Sequence, residues 1–366
     1  MSEGRRRRRF HPHAGTARAA LVWGLALFAC VQLILGVSLE WWTPGVRELQ
    51  HGIKHDLLRQ RLRETPGRPL VLFMGTSRTL NGLDPAKLSS LPADGAPAPL
   101  AFNFAHAGAG PLRQLLLLRR LLDEGIHPTH IFLEVLPALL SVENEAEGLL
   151  DEKLVGWRDW PAMARYWPEA RSRAEWCRAN LVPCAAQRYQ LLGRLLPHLL
   201  SWQWQPDWPT WSVVNGWGFL RDRRESVDEA QYRKGLESAR HRYAGTLRDF
   251  HISTSADRAL REFLDLCRAR GIGVTLYLMP EARPFRDWYT AATEKKLRDY
   301  LDRLRKEHHL AVIDARRWAP DAGFLDGHHL LPAAAADFSC RFGREVYQPF
   351  LAQQRCSRNS VARRGT

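Results

Sequence analysis

The sequence lacks the cysteine and histidine patterns that hold metal ions. Its six cysteines are scattered over 366 residues, no two form a CxxC pair, and none stands with histidines at ligand spacing. We therefore expect no metal site. Cys177 with Cys184, and Cys340 with Cys356, could form disulfides in an oxidising compartment, and free thiols are the alternative.

Lysine is scarce, and a basic stripe is missing. Only seven of the 53 basic residues are lysines. Residues 1–18 hold six arginines against one glutamate, and the tail from Arg355 holds four arginines and no acid, which leaves +5 of the net charge of +14 for the body. No basic stripe with interleaved aromatics runs through that body, so we expect no nucleic-acid binding. With 45% hydrophobic and 25% charged residues, a disordered chain is excluded.

One apolar run is long enough to cross a membrane. From Ala19 to Leu39 there are 21 uncharged residues, which at about 1.5 Å per residue cover the roughly 30 Å hydrocarbon layer. Arginines precede the run and Trp41-Trp42 follow it, as at a membrane interface. We expect a cytoplasmic tail over 1–18, a single-pass signal anchor over 19–39, and the rest of the chain outside. A cleaved signal peptide is the alternative.

Beyond the span, strands and helices alternate. An amphipathic connector over 40–68 precedes an α/β domain over 69–352, and a basic tail occupies 353–366. The predicted strands are Pro69–Met74, Leu100–Phe104, His130–Leu136, Gly273–Met279 and Ala311–Asp314. The predicted helices are Leu112–Leu122, Ala256–Arg270, Trp288–His308 and Ala333–Leu351. This alternation predicts a doubly wound parallel sheet with its active site at the carboxyl ends of the strands.

The alternation breaks between residues 140 and 250, which hold nine of the 14 tryptophans. We interpret this stretch as a mostly helical insertion between the third and fourth strands. Its tryptophans could stack on sugar rings; alternatively they pack a helical subdomain or touch the bilayer surface.

The turn after the first predicted strand carries a hydroxyl group. Gly75-Thr76-Ser77-Arg78 follows the strand directly, which places Ser77 at the start of a helix above the sheet edge. Its backbone N–H then points out of a helix N-terminus, where it can stabilise an oxyanion. A serine at this point can also be a plain N-cap.

A carboxylate and two histidines precede the last predicted helix. In Asp326-Gly327-His328-His329 the aspartate stands three residues before His329, a compact way to hold an imidazole in one tautomer. A solvated loop is the alternative. A parallel sheet could bring this pair and Ser77 to one edge.

The two blocks together resemble those of the SGNH (GDSL-like) hydrolase superfamily, whose nucleophile block follows the first strand and whose DxxH block lies near the C-terminus. The resemblance implies a flavodoxin-like SGNH fold in which Ser77 is the nucleophile, His329 the general base and Asp326 the residue that orients it. The segment Asn103–Gly108 is similar to the family's glycine block, which implies that the amides of Gly108 and Ser77 form the oxyanion hole.

The chain departs from the family pattern after the third strand. Glu134-Val135-Leu136-Pro137 replaces the Gly-x-Asn-Asp block, so the family's side-chain oxyanion donor is missing or comes from elsewhere. Its GTSR block and the segments 278–281 and 285–289 are similar to those of bacterial membrane-anchored SGNH-like proteins such as DltD and AlgX/AlgJ. Those proteins are associated with acyl transfer to cell-surface polymers alongside membrane-bound O-acyltransferases. The resemblance covers roughly residues 69–137 and 256–350.

Five further residues have alternative interpretations. Arg78, Glu281 and Arg283 are candidate substrate-binding residues, with ion pairing as the alternative. His328 is the rival of His329 as the base. Asp314 ends a strand and could replace Asp326 as the orienting carboxylate.

These features predict a membrane-tethered Ser-His-Asp acyltransferase or esterase that acts on a cell-envelope polysaccharide and needs no cofactor. The arginines before the span predict a cytoplasmic N-terminus and an extracytoplasmic catalytic domain. The resemblance implies that the membrane is the bacterial inner membrane, that the domain is periplasmic, and that a membrane-bound O-acyltransferase is a partner. The alternative is a catalytically silent protein that keeps the SGNH scaffold and binds polysaccharide or assists an acyltransferase complex.

Overall fold

The apolar runs outside the N-terminal span form one parallel sheet. In a computed structural model, which describes residues 14–89, 98–141, 151–167, 170–201 and 213–362, five strands pair in the order β2-β1-β3-β4-β5. They are β1 (Leu70–Met74), β2 (Leu100–Asn103), β3 (His130–Glu134), β4 (Gly273–Leu278) and β5 (Ala311–Asp314). Each lies within a predicted run, so the expected α/β class and all-parallel sheet are confirmed.

The strand order creates a switch point between β1 and β3. Leu72 of β1 is in register with Phe102 of β2 on one side and with Ile131 of β3 on the other. The chain therefore leaves β1 in one direction and later returns to its opposite side. Ligands of such sheets bind outside the carboxyl ends of the strands at this reversal.

Both faces of the sheet are buried at its centre, as a parallel sheet requires, and the edge strand β5 is only partly buried. Phe73 of β1 stacks on Phe132 of β3 with ring centroids 5.1 Å apart, and Phe342 packs edge-on against both rings. Leu72, the alternate residue of β1, is fully buried on the opposite face.

Ten helices of eight or more residues lie in the described ranges. They are α1 (Ala14–Val37), α2 (Leu49–Glu64), α3 (Pro111–Asp123), α4 (Ala170–Leu181), α5 (Arg188–Leu195), α6 (Glu229–Arg248), α7 (Thr254–Ala269), α8 (Ala291–His308), α9 (Pro332–Phe342) and α10 (Gln348–Ala362). Shorter α-helices are Pro44–Arg47, Ser77–Gly82, Pro85–Ser89, Pro137–Leu140, Trp160–Met163, Pro183–Ala186 and Arg283–Arg286.

Two predicted helix boundaries differ from the structure. The helix expected over Trp288–His308 begins at Ala291, because the Thr290 side chain accepts a hydrogen bond from the Thr293 N–H and caps it. The final helix was predicted to end at Leu351; instead a π-helical turn over Gly343–Tyr347 joins α9 to α10, and helix extends to Ala362 through most of the predicted basic tail.

The chain divides into two compact units, one of which comprises Met1–Arg47, Glu152–Trp160 and Glu169–Pro206. Within that unit, Thr16–Trp42 is long and apolar enough to cross a membrane, and a signal sequence would meet the same criteria. The other unit contains the sheet.

The residues between β3 and β4 are largely helical where the structure describes them. Of the nine tryptophans between residues 140 and 250, Trp202, Trp204, Trp208 and Trp211 lie outside the described residues. All six cysteines are free thiols, so neither Cys177 with Cys184 nor Cys340 with Cys356 is bridged.

Candidate active site

The turn after β1 presents Ser77 at the switch point. Thr76 is the N-cap of the helix Ser77–Gly82, and its side-chain oxygen accepts a hydrogen bond from the Arg78 N–H at 3.2 Å. A side chain on Gly75 would collide with the Glu134 carboxylate. Glycine there lets the turn pass close to the end of β3.

Ser77, His329 and Asp326 form a continuous chain of hydrogen bonds. The Ser77 Oγ lies 2.8 Å from His329 Nε2, and His329 Nδ1 lies 2.8 Å from Asp326 Oδ2. All three residues are partly buried. The structure thus brings Ser77 next to a histidine and an aspartate that lie about 250 positions later in the sequence. The distances are those expected for a nucleophile, a base and an orienting carboxylate.

The loop Asp326–His329 holds the carboxylate rigidly. Asp326 Oδ1 accepts hydrogen bonds from the backbone N–H groups of His329 at 2.9 Å and His328 at 3.2 Å. Gly327 has a φ of 89°, which a side chain would disfavour. Burial alone would raise the pKa of Asp326, but the two neighbouring histidines outweigh it and hold that pKa well below its ordinary value. The carboxylate stays ionised and fixes the proton of His329 on Nδ1.

The predicted oxyanion hole consists of the backbone amides of Ser77 and Gly108. The loop after β2 is joined to the nucleophile turn by a hydrogen bond from the His106 N–H to the Gly75 carbonyl at 3.0 Å. Gly108 on that loop is exposed and has a φ of 68°. Within the described ranges, neither the Ser77 N–H nor the Gly108 N–H donates a hydrogen bond. Both donors are available to an oxyanion.

Glu134 is a site residue whose role sequence reasoning missed. It ends β3 and is almost completely buried. Its carboxylate accepts hydrogen bonds from the Thr76 N–H at 2.7 Å, the Thr76 hydroxyl at 3.0 Å and the Thr79 hydroxyl at 2.7 Å. A charged residue closing the otherwise apolar run HIFLE was the available signal. Through these hydrogen bonds Glu134 stabilises the turn that carries Ser77.

Arg78 and Glu281 form a buried ion pair. Arg78 Nη1 lies 3.1 Å from Glu281 Oε1, and its Nη2 donates to the Met279 carbonyl at 2.7 Å. Burial would lower the pKa of Arg78, but the carboxylates of Glu281 and Glu134 outweigh it and raise that pKa. With exposures of 1% and 0%, neither side chain can reach a substrate from solvent. This geometry favours the ion-pair alternative for both.

The other candidates stand apart from the hydrogen-bond chain. Arg283 has an exposed side chain, 3.8 Å from Asp287. Asp314 pairs with Arg316 at 2.7 Å. Neither residue contacts Ser77 or His329.

His328 lies beneath the site with its ring against Phe285, 5.3 Å between centroids. Its Nδ1 lies 3.1 Å from Asp326 Oδ1 without the geometry of a hydrogen bond, and its Nε2 has no hydrogen-bond partner among the residues described. Burial, reinforced by the neighbouring His329, lowers the pKa of His328 to about 4. It is therefore neutral at pH 7, and the geometry selects His329 as the base.

Asp326, His328 and His329 are the one group of potential metal ligands found in the described part of the chain. Single ligand atoms of Asp326, His328 and His329 lie within 4.8 Å of one another. However, both ring nitrogens of His329 are already engaged, by Ser77 and Asp326. We interpret Asp326 and His329 as members of the hydrogen-bond chain rather than as metal ligands.

A buried lysine supports the loop after β2. Lys54 of α2 donates to the Asn103 carbonyl at 2.8 Å, the Asn103 side-chain oxygen at 3.2 Å and the Ala105 carbonyl at 2.6 Å. Burial lowers the pKa of Lys54 well below its ordinary value. These contacts hold the start of the loop on which Gly108 lies.

The chain matches no protein-family model and no curated protein.

Proposed function

We propose that the protein is a membrane-tethered, SGNH-like serine acyltransferase or esterase that acts on a cell-envelope polysaccharide through a covalent acyl-serine. The observation that carries the proposal is the unbroken hydrogen-bond chain from Ser77 through His329 to Asp326. The hydrogen-bond distances within that chain, the unpaired amides of Ser77 and Gly108 and the strand order β2-β1-β3-β4-β5 support it.

In the first half-reaction, the Ser77 Oγ attacks the carbonyl carbon of the acyl donor while His329 Nε2 takes its proton. The negative charge on the tetrahedral intermediate is stabilised by the N–H groups of Ser77 and Gly108. Each such donor contributes on the order of a hundredfold or more in rate. The intermediate collapses to acyl-Ser77, and the leaving group receives the proton from His329.

In the second half-reaction, His329 removes a proton from a sugar hydroxyl or from water. The resulting oxygen attacks the acyl carbonyl, and Ser77 is restored with the proton from His329. The sugar hydroxyl gives O-acyl transfer and water gives ester hydrolysis. Ionised Asp326 stabilises the imidazolium formed in both halves. Acetyl is the proposed acyl group, and no cofactor takes part.

The proposed location follows from the apolar helix. Thr16–Trp42 anchors the chain in the bacterial inner membrane as a single pass, with its N-terminus in the cytoplasm and the sheet unit in the periplasm. An enzyme held there meets envelope polysaccharide directly. A membrane-bound O-acyltransferase in the same bilayer is the proposed acyl source.

Turnover of an activated acetyl ester by the full chain tests the proposal. Ser77→Ala should abolish turnover and leave the free energy of unfolding nearly unchanged, because the serine contributes little to packing. Ser253→Ala is the matched control. Its hydroxyl caps α7 by accepting from the Ala256 N–H, so its loss costs about 1 kcal/mol and leaves turnover per folded molecule unchanged.

Parent-like turnover in Ser77→Ala would refute the nucleophile assignment. If the folded parent turns over no acyl ester but binds envelope glycan, and binding survives Ser77→Ala, the protein is the catalytically silent scaffold instead.

A further inference from the structure

A polar residue inside the apolar helix binds the backbone of a distant segment. Gln32 of α1 is 6% exposed, and its side-chain oxygen accepts a hydrogen bond from the Cys184 N–H at 3.2 Å. Both α4 and the short helix Pro183–Ala186 contact α1. Cys184 is the second residue of that helix, so its N–H has no partner within it. The contact supplies that partner.

The position of Gln32 along α1 fixes the depth of this contact. Only thirteen uncharged residues separate Arg18 from Gln32, about 20 Å of helix, too little to cross a hydrocarbon layer of roughly 30 Å. Trp42 follows Gln32 by ten residues, about 15 Å further along the axis. If α1 crosses a bilayer, Gln32 lies inside the hydrocarbon, and so does the Cys184 backbone. An unsatisfied N–H at that depth is strongly unfavourable because no water is present to accept from it, which explains why a glutamine stands in the span.

The helices around this contact expose leucines. Leu195 is 74% exposed, Leu181 60% and Leu199 61%. These residues belong to the unit that contains α1. Leucines exposed to water at this level in several adjacent turns are unusual for a soluble surface and typical of a lipid-facing one.

The same segment is basic and bears aromatic residues. Residues 170–200 hold five arginines, all exposed, against one glutamate. Trp157 is half-exposed and packs edge-on against Trp176, 4.7 Å between centroids. Arginines and tryptophans beside exposed leucines match the anionic headgroup region above a hydrocarbon layer.

We infer that α4, Pro183–Ala186, α5 and the 3-10 turn Pro197–Leu199 form a platform embedded in the outer leaflet of an anionic phospholipid bilayer, with Leu181, Leu195 and Leu199 in contact with lipid. The inference rests on the proposed membrane anchor and is independent of the chemistry at Ser77. The protein then contacts the bilayer in two ways, through a single spanning helix and through a platform that enters one leaflet.

Site-specific photocrosslinking of the full chain tests this. Benzoylphenylalanine replaces Leu195 or Leu199 in protein reconstituted into vesicles of phosphatidylethanolamine and phosphatidylglycerol. Val31 of α1, exposed in the apolar span, is the positive control, and Glu237 on α6, exposed in the sheet unit, is the negative control. After illumination, intact mass should show one added phospholipid at 195, 199 and 31, and none at 237.

Each other outcome overturns the inference. Lipid at 31 without lipid at 195 or 199 means that the anchor spans the bilayer and the platform does not enter it. No lipid at 31 removes the anchor and the platform together. Crosslinking of 195 or 199 to a second copy of the chain identifies a protein interface. Ester turnover measured on the same samples separates these results from failure of the proposed reaction.

Discussion

Replacing Glu134 with glutamine should lower the rate of Ser77 acylation per folded molecule, in addition to lowering the free energy of unfolding. The change keeps the size of the side chain and removes its charge. Three hydrogen bonds from Thr76 and Thr79 lose an ionised acceptor, and Arg78 loses one of its two counter-ions. Bonds to charged groups contribute about 1.5–3 kcal/mol each, against about 1 for neutral ones. We therefore expect a loss of about 2–3 kcal/mol in the free energy of unfolding.

Glu281→Gln is the matched control. It removes the other counter-ion of Arg78 and weakens a 3.0 Å hydrogen bond from the Tyr289 hydroxyl, but it touches neither Thr76 nor Thr79. Its loss of stability should be of similar size. Because the turn that carries Ser77 keeps its support, the acylation rate per folded molecule should remain near that of the parent.

The assay is stopped-flow acylation by an activated acetyl ester, with urea unfolding of the same preparations. Small displacements of a nucleophile cost large factors in rate, so Glu134→Gln should acylate at least about tenfold more slowly. The reasoning is refuted if Glu134→Gln acylates as fast as the parent, or if both variants slow equally per folded molecule.

Three other changes test separate parts of the structure. Asp326→Asn places an amide where the His329 ring proton points, so turnover per folded molecule should fall by up to on the order of 10⁴, and the loss of a charge that the two histidines stabilise should also lower the free energy of unfolding; a loss of turnover below tenfold would contradict the orienting role. Gly75→Ala would drive a methyl into a buried carboxylate and should cost about 1–3 kcal/mol, whereas Gly245→Ala, with open space inside a helix, should stabilise by about 0.5–1 kcal/mol; equal effects would argue against the tight turn. Burial lowers the pKa of His130 to about 4 in the folded state. Between pH 6.5 and 4 the unfolded chain therefore binds a proton at this histidine that the folded state does not, and the free energy of unfolding should fall as the pH drops through that range. His130→Gln should make the free energy of unfolding, measured by urea titration, fall less steeply with decreasing pH; an unchanged pH dependence would refute the claim that buried His130 causes it.

The strands were predictable because each is a short apolar run closed by turn residues. Leu70–Met74 ends at Gly75, and such a run is buried on both faces only in a parallel sheet. The positions of Ser77 after the first strand and His329 before the last helix then follow from topology. Their hydrogen-bond geometry agrees with the expected triad, whose catalytic role stays a prediction.

The support beneath the site was not predictable in the same way. Arg78 and Glu281 are 203 residues apart and meet only because β1 and β4 end at the same sheet edge. Glu134 is recognisable as a brace only once Thr76 and Thr79 are seen above it. Sequence spacing carries no information about such contacts, because they depend on strand order rather than on local periodicity.

Peptide mapping by mass spectrometry of the full chain, after brief exposure to an activated acetyl ester, tests directly whether Ser77 is the nucleophile. One acetyl group is expected on the peptide that contains Ser77, absent in Ser77→Ala and strongly reduced in His329→Ala. Acetyl on another residue, or ester consumption that continues unchanged in Ser77→Ala, would contradict that prediction.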